Sequence, residues 1–361
     1  MFFTPKRRTQ SMWKLAGQVL VLALLSVSAW ADESFSGALF QRDQLSSIDV
    51  SQLKGSGFDT VVLEVSDHWI PSEKELDQVQ SIQSQGLAFA IWIEIARDAR
   101  LADQHPEWMA SIQGHPEWRR FYPDFPKLKE RQVVKVYPWV PIAYQEAFAV
   151  QLEKVKRILA LWPKVERVFL NDLQGAPSAC GCGHPLCRWT TDYGPIKTAT
   201  PLASDFAAKF VGSVRKIRDG LEVIPVWATE CEEGDKPGLC AGVGCYRGAC
   251  WREWSAQLEP LVANSPRIGA LLLESTFQRA EMGPDWLAAI PQTFAEMPAH
   301  YQRAGIATDR LVAIIEGWQA DKGSLERQRR LLKTAGISSY VVAMTMIDQR
   351  WDPRVFDLPT Q

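Results

Sequence analysis

The stretch Tyr144–Leu173, YQEAFAVQLEKVKRILALWPKVERVFLNDL, holds the pattern that decides the fold. Its first part, Tyr144–Trp162, spaces apolar residues as one face of a helix requires. Its last part, Arg167–Leu173, is a short apolar run carrying Asn171 and Asp172 near its end. A helix leading into a fully apolar strand is the repeating piece of a parallel sheet, whose strands are covered on both faces. The same piece recurs. Apolar runs of strand length occupy Ser36–Arg42, Thr60–Asp67, Leu87–Arg97, Glu222–Glu230, Ile268–Ser275, Leu311–Trp318 and Ser339–Asp348. Helical periodicity fills Ala203–Arg218, Asp285–Ala304 and Ser324–Ala335 between them. Eight such repeats predict an α/β fold of the closed (β/α)8 TIM-barrel type rather than an open doubly wound sheet. No G-x-G-x-x-G or G-x-x-x-x-G-K-[ST] follows a strand, which argues against dinucleotide and nucleoside-triphosphate binding. Long loops are expected after strands three, four and five.

The chain around these repeats has 361 residues, with 40 Lys+Arg, 42 Asp+Glu and 46% apolar residues. That balance excludes a disordered chain and a polytopic membrane protein. A formal charge of −2 excludes a nucleic-acid binder held mainly by phosphate contacts. Residues 1–31 read as a secretory signal peptide: Lys6, Arg7, Arg8 and Lys14 precede the apolar run Leu15–Val27, and Ala29-Trp30-Ala31 forms a small-x-small cleavage site. An uncleaved anchor is the rival reading, since the run approaches the ~20 residues that span a bilayer. Gln18, Ser26 and Ser28 weaken it. Arg7-Arg8 raises a twin-arginine route, but Thr9-Gln10-Ser11 stands where that signal carries apolar residues. Cleavage after Ala31 leaves 330 residues, 32–361, as a single barrel domain and moves the formal charge from −2 to −6. The expected location is the periplasm or the exterior, with no membrane domain remaining.

In a barrel of this kind the strand ends and following loops build the active face. Those ends supply Glu64, Asp67-His68, Glu94, Arg97, Asn171-Asp172, Glu230, Glu274, Glu316 and Asp348. Carboxylates are costly inside apolar runs unless paired or hydrated, so their convergence needs a reason. Some of them mark hydrated strand ends or pair with Arg42 and Arg97 in the plainer account. The chemical account is glycoside hydrolysis, which needs one carboxylic acid to protonate the leaving oxygen and one carboxylate to attack or to activate water. Asp172 and Glu316 are the catalytic candidates. Asp67, Glu94, Arg97, Asn171, Glu230, Glu274 and Trp318 are candidates for substrate binding or for tuning that pair. Trp69, Trp189, Trp251, Trp254 and Trp318 follow strand ends, where an indole face stacks on a sugar ring. Trp92, Trp162, Trp227 and Trp286 read as core.

Asn171-Asp172 and Glu316 resemble the sites of the large barrel clan of retaining glycosidases. There the acid/base follows an Asn ending strand four, and a Glu ending strand seven is the nucleophile. The resemblance implies those roles for Asp172 and Glu316 and a carbohydrate as partner. The dipeptide departs from the usual Asn-Glu, and its arm, shorter by one methylene, displaces the acid/base or shifts the geometry towards inversion. His105-Pro106-Glu107-Trp108, repeated as His115-Pro116-Glu117-Trp118, is similar to a segment of bacterial glycoside-hydrolase-like barrels that opens a loop-to-helix turn. Pro at a first helical position with Glu behind it is a helix start, and a capping role competes with a catalytic one for His105 and His115.

All seven cysteines fall within Cys180–Cys250, in loops at 174–200 and 231–251. Export makes disulfides the default, although seven leaves one thiol over. A single intervening residue makes an unstrained Cys180–Cys182 bond difficult. The rival is a thiolate site for zinc drawn from Cys180, Cys182, His184, Cys187 and Cys231. The hydrolase reading needs no cofactor. A non-hydrolytic barrel that binds a metal, a glycan or a partner is the alternative function.

Overall fold

The computed structural model describes residues 34–96, 98–105, 140, 142, 145–171, 173, 200–228, 265, 267–272, 307–318 and 322–344. Eight strands close into one all-parallel barrel in sequential order. They are β1 Ser36–Phe40, β2 Thr60–Glu64, β3 Ala88–Glu94, β4 Arg167–Asn171, β5 Glu222–Ala228, β6 Ile268–Leu272, β7 Leu311–Glu316 and β8 Ser339–Ala343. The described helices are α1 Val50–Gly55, α2 Glu73–Ser84, α3 Ala99–Gln104, α4 Gln145–Leu161, α5 Thr200–Arg215 and α6 Lys322–Thr334. The chain is thus the (β/α)8 barrel that its apolar runs predict. Each strand starts within one residue of the expected place, and β1–β4, β7 and β8 stop short of the expected end. Asp285–Ala304 lies outside the described residues, as do both cysteine loops. Among the described residues, no helix is long and apolar enough to cross a membrane.

Strand alternation sorts the apolar residues into two cores. Val61, Leu63, Ile91, Ile93, Val168 and Leu170 face the helices. Val62, Trp92, Phe169, Ile224, Leu271, Ile314 and Val341 fill the barrel interior. Helix α4 buries Ala147, Gln151, Lys154, Val155 and Ile158 against the sheet, an i, i+4, i+7, i+8, i+11 stripe. Two polar residues therefore lie inside an apolar face. Helix α2 begins with a capping box in which Ser72 and Glu75 bond each other's backbone N–H groups.

The floor of the barrel carries charge. Glu222 is buried and accepts from Arg167 Nε at 2.5 Å, while Arg267 Nε stands 3.6 Å away on its other side. Both guanidiniums lie over the ring of Phe35, at 4.0 and 5.2 Å. Phe35 is itself fixed by its backbone N–H to Ser339 Oγ and by the Tyr340 N–H to its carbonyl. One carboxylate and two cations fill the N-terminal end of the interior.

Candidate functional site

At the opposite end, the last inward position of several strands is polar. Glu64 follows Val62 by two residues, Glu94 follows Trp92, Asn171 follows Phe169, and Glu316 follows Ile314, so all four share the interior phase. Register sets Glu94 beside Asn171. Strands β3 and β7 lie four apart in a closed ring of eight, so Glu94 and Glu316 face each other across the mouth. Trp318, just past β7, packs against the interior core.

Glu94 is held on both sides. Its Oε1 accepts from Trp92 Nε1 at 2.9 Å, and both its oxygens accept from Asn171 Nδ2 at 3.0 Å. The Trp92 ring is fixed in turn by stacking on Phe169, with centroids 5.8 Å apart. Donors on both oxygens favour a carboxylate that only accepts. Asn171 is 1% exposed and its Oδ1 has no partner among the described residues. The amide orientation follows from chemistry, since a flip would set its oxygen against a carboxylate.

The backbone behind both facing glutamates is gripped from the helix layer. Lys154 of α4 donates to the Glu94 carbonyl at 2.8 Å and to Asp98 Oδ2 at 2.9 Å. Gln328 of α6, 3% exposed, donates to the Glu316 carbonyl at 3.1 Å. Asp98 also caps α3 through the Leu101 N–H. Sequence reading missed Lys154 and Gln328, whose signal is a polar residue inside an apolar helical stripe. Gly317 joins Glu316 to Trp318 where β7 and β8 touch. A Cβ there would lie 2.5 Å from Val342 Cγ1 and 2.9 Å from the Ala343 carbonyl, so only glycine fits.

Other candidates are placed differently. Asp67 accepts from Arg157 of α4 at 2.7 Å, and His68 Nδ1 stands 3.6 Å from it. Burial opposes the charge on Asp67, but the Arg157 bond and the charges of Lys154 and Arg157 prevail, holding it below 3.8. Trp69 is expected at the mouth as a sugar platform. It is 3% exposed instead, packed edge-on against Trp162 at 5.4 Å with Arg42 over its ring. The turn after β2 folds it onto the outer core, where no sugar face reaches it. Trp92 and Trp162 are core, as expected. Arg42 pairs with Glu75. His105 is the C-cap of α3. Asp172, Arg97, Glu230, Glu274, His115 and the residues Trp189, Trp251, Trp254 and Trp286 lie outside the described residues. So do Cys180, Cys182, His184, Cys187 and Cys231. Among the described residues, no group of three His, Cys, Asp or Glu could hold a metal ion.

Three carboxyls of this framework stay charged at unusually low pH. Burial opposes the charge on Asp98, yet Lys154 and the N–H of Leu101 hold it below 3.8. Glu75 drops from 4.5 to about 2, against desolvation, through Arg42, Ser72 and Trp69. Asp67 follows the same direction. A carboxyl that binds its proton more weakly when folded contributes stability that is complete above its unfolded pKa. That contribution is lost as pH falls through the folded one. Urea stability is therefore expected to be level above about pH 5. It should then fall between 4.5 and about 2, with the fall reduced in Asp98→Asn.

No protein-family model matches the chain, and no curated protein matches it in sequence. Solved structures do match. The beta-galactosidase from the psychrophilic Marinomonas ef1 aligns at 12% identity and a TM-score of 0.50, over 86% of this chain and 53% of that one. Alpha-L-fucosidase isoenzyme 2 from Paenibacillus thiaminolyticus gives 12% and 0.50, over 90% and 48%. The endo-beta-1,4-mannanase from Thermotoga petrophila gives 9% and 0.51, over 91% and 72%. The chain spans about half the length of the first two. All three are glycoside hydrolases by name, and what they share with this chain is the barrel.

Proposed function

We propose that this chain is an exported glycoside-hydrolase-like enzyme acting on a poly- or oligosaccharide through paired carboxylates. The observation that carries the reading is the ring of inward Glu64, Glu94, Asn171 and Glu316 at the C-terminal mouth, where barrel enzymes place their chemistry. Glu316 is the nucleophile or base, and Asp172, directly after the inward Asn171, is its acid partner. Glu94, Asn171 and Trp318 bind substrate, with Arg97, Glu230 and Glu274 as neighbours from the adjoining loops. Asp67 acts at one remove, by fixing the β2 loop on Arg157. One carboxyl protonates the leaving oxygen as the glycosidic C–O bond breaks, and the other attacks the anomeric carbon or takes a proton from the attacking water. Carboxyls ~5–5.5 Å apart give retention, and ~6.5–9.5 Å gives inversion.

The test is release of reducing ends from a panel of soluble glycans, with Glu316→Gln beside the wild type. Hydrolysis that survives in the variant overturns the site, and a panel with no release by the wild type overturns the activity. The cysteine loops close with disulfides in this reading, and no cofactor is required. Thiol titration of periplasmic protein should find at most one free thiol. Stoichiometric zinc with several protected thiols would instead establish the metal-binding alternative.

A further inference from the structure

Lys154 is a buried cation inside the apolar stripe of α4, with its side chain 9% exposed. Asp98 alone does not account for it. That carboxylate also accepts from Gln151 Nε2 at 3.3 Å and from the Leu101 N–H at 2.9 Å. A buried ion pair can often be exchanged for apolar residues without loss of stability, so stability is a weak reason for a charge here. The second bond of Lys154 supplies a better one. Along β3 the backbone groups alternate between the two neighbouring strands. The Trp92 carbonyl accepts from the Val65 N–H on the β2 side at 2.9 Å, and the Ile95 N–H donates to the Asn171 carbonyl on the β4 side at 3.0 Å. The Glu94 carbonyl lies between them in phase and faces the β2 side. By then β2 has ended at Glu64 and turned, with the Trp69 N–H on the Ser66 carbonyl at 3.2 Å. Lys154 supplies a donor where that strand has left, at 2.8 Å.

We infer that Lys154 is a positioning residue: by holding the end of β3 it sets the Asn171 amide, and through Asn171 the acid partner that follows it in the chain. This rests on the hydrolase reading of the same site. Two links run from the held segment to Asn171. The Ile95 N–H, one residue past the held carbonyl, bonds the Asn171 backbone. The Glu94 carboxylate accepts from Asn171 Nδ2 with both oxygens at 3.0 Å. Residues 94 and 95 therefore carry the backbone and the side chain of Asn171 together, and a shift of one strand end displaces both. Such a shift matters because a misplacement of about 1 Å by a distant change can cost ~10²-fold in rate. On the opposite strand Gln328 does the same work with a neutral amide on the Glu316 carbonyl. Both facing strand ends are thus fixed from the helix layer.

Asn171 and Asn264 are the only two asparagines in the chain, so isotope-labelled asparagine makes the Asn171 side-chain amide a single-site NMR reporter. Lys154→Met is combined with Asp98→Asn, which leaves no buried carboxylate unpaired. In this double variant the Asn171 amide signals are expected to shift and to exchange with water faster. On a hydrolysed glycan, kcat should fall roughly 10–100-fold while KM stays within about threefold. Asp98→Asn alone leaves the Lys154 donor on the Glu94 carbonyl. It should lose stability yet keep the Asn171 signals and kcat, and Lys154→Arg, which retains a charged donor, should keep both as well. Unmoved Asn171 signals in the double variant overturn the inference, as does a kcat within about threefold of the wild type. So does an equal loss in Asp98→Asn, which would make the ion pair the cause rather than the grip on Glu94. Should the double variant not fold, Asp98→Asn still decides: signals and kcat retained support the inference, and their loss overturns it. A wild type that hydrolyses no glycan overturns only the hydrolase reading, and the amide signals then decide whether Lys154 sets Asn171.

Discussion

Glu316→Gln is expected to lower kcat for glycan hydrolysis by about 10²–10⁴-fold while KM moves little, because that is the scale of a carboxylate in direct acid–base work and an amide replaces none of it. Gln keeps the volume and the inward direction of the side chain. The backbone carbonyl at 316, held by Gln328, is not altered by the change. The loss should therefore come without unfolding, and a melt within a few degrees of the wild type separates lost chemistry from lost structure. A parallel loss in Asp172→Asn supports the pair. A kcat for Glu316→Gln within tenfold of the wild type would remove Glu316 from the mechanism.

The largest effect on stability is expected at the floor. Glu222→Ala leaves Arg167 and Arg267 inside the barrel without the carboxylate between them. Removing one partner of a buried ion pair costs about 3–5 kcal/mol, mostly from the charge left behind. A typical domain has a margin of ~5–15 kcal/mol, so much of the fold's stability is at stake. The urea midpoint should drop sharply. The converse change is the control. Replacing Glu222 and both arginines with apolar residues of similar volume is expected to restore most of that loss, since such replacements are often neutral or better. If Glu222→Ala unfolds at the wild-type midpoint, the floor ion group contributes nothing net.

The barrel was legible because parallel strands buried on both faces appear as solid apolar runs. Leu311–Ile315 is one such run without interruption. Strand ends were harder to place. An acid after the run reads as the last strand residue, yet the backbone turns away first, and Asp67 falls in the loop. Glu94, Asn171 and Glu316 stand out in the sequence because each is a polar residue at an inward position of an apolar run. Trp69 and Trp318 look alike in one dimension, each following a strand end. Only the direction of the turn separates them, and that direction depends on Trp162, in a distant part of the sequence. Arg167, Glu222 and Arg267 escaped notice for the opposite reason. Standing at or just before the start of their runs, they look like polar flanks, whereas closure of the ring brings them together.

Phe35 gives the segment just before β1 a structural duty. Its ring lies under both floor guanidiniums, one residue ahead of β1. The barrel's seal is therefore contributed from just before the first strand and closed against Ser339, 304 positions later. Assembly of the floor has to wait for β8, so the growing chain cannot complete its barrel before Ser339 and Tyr340 are made. Expression vectors for this protein should keep Phe35, because a start at residue 36 discards the stopper.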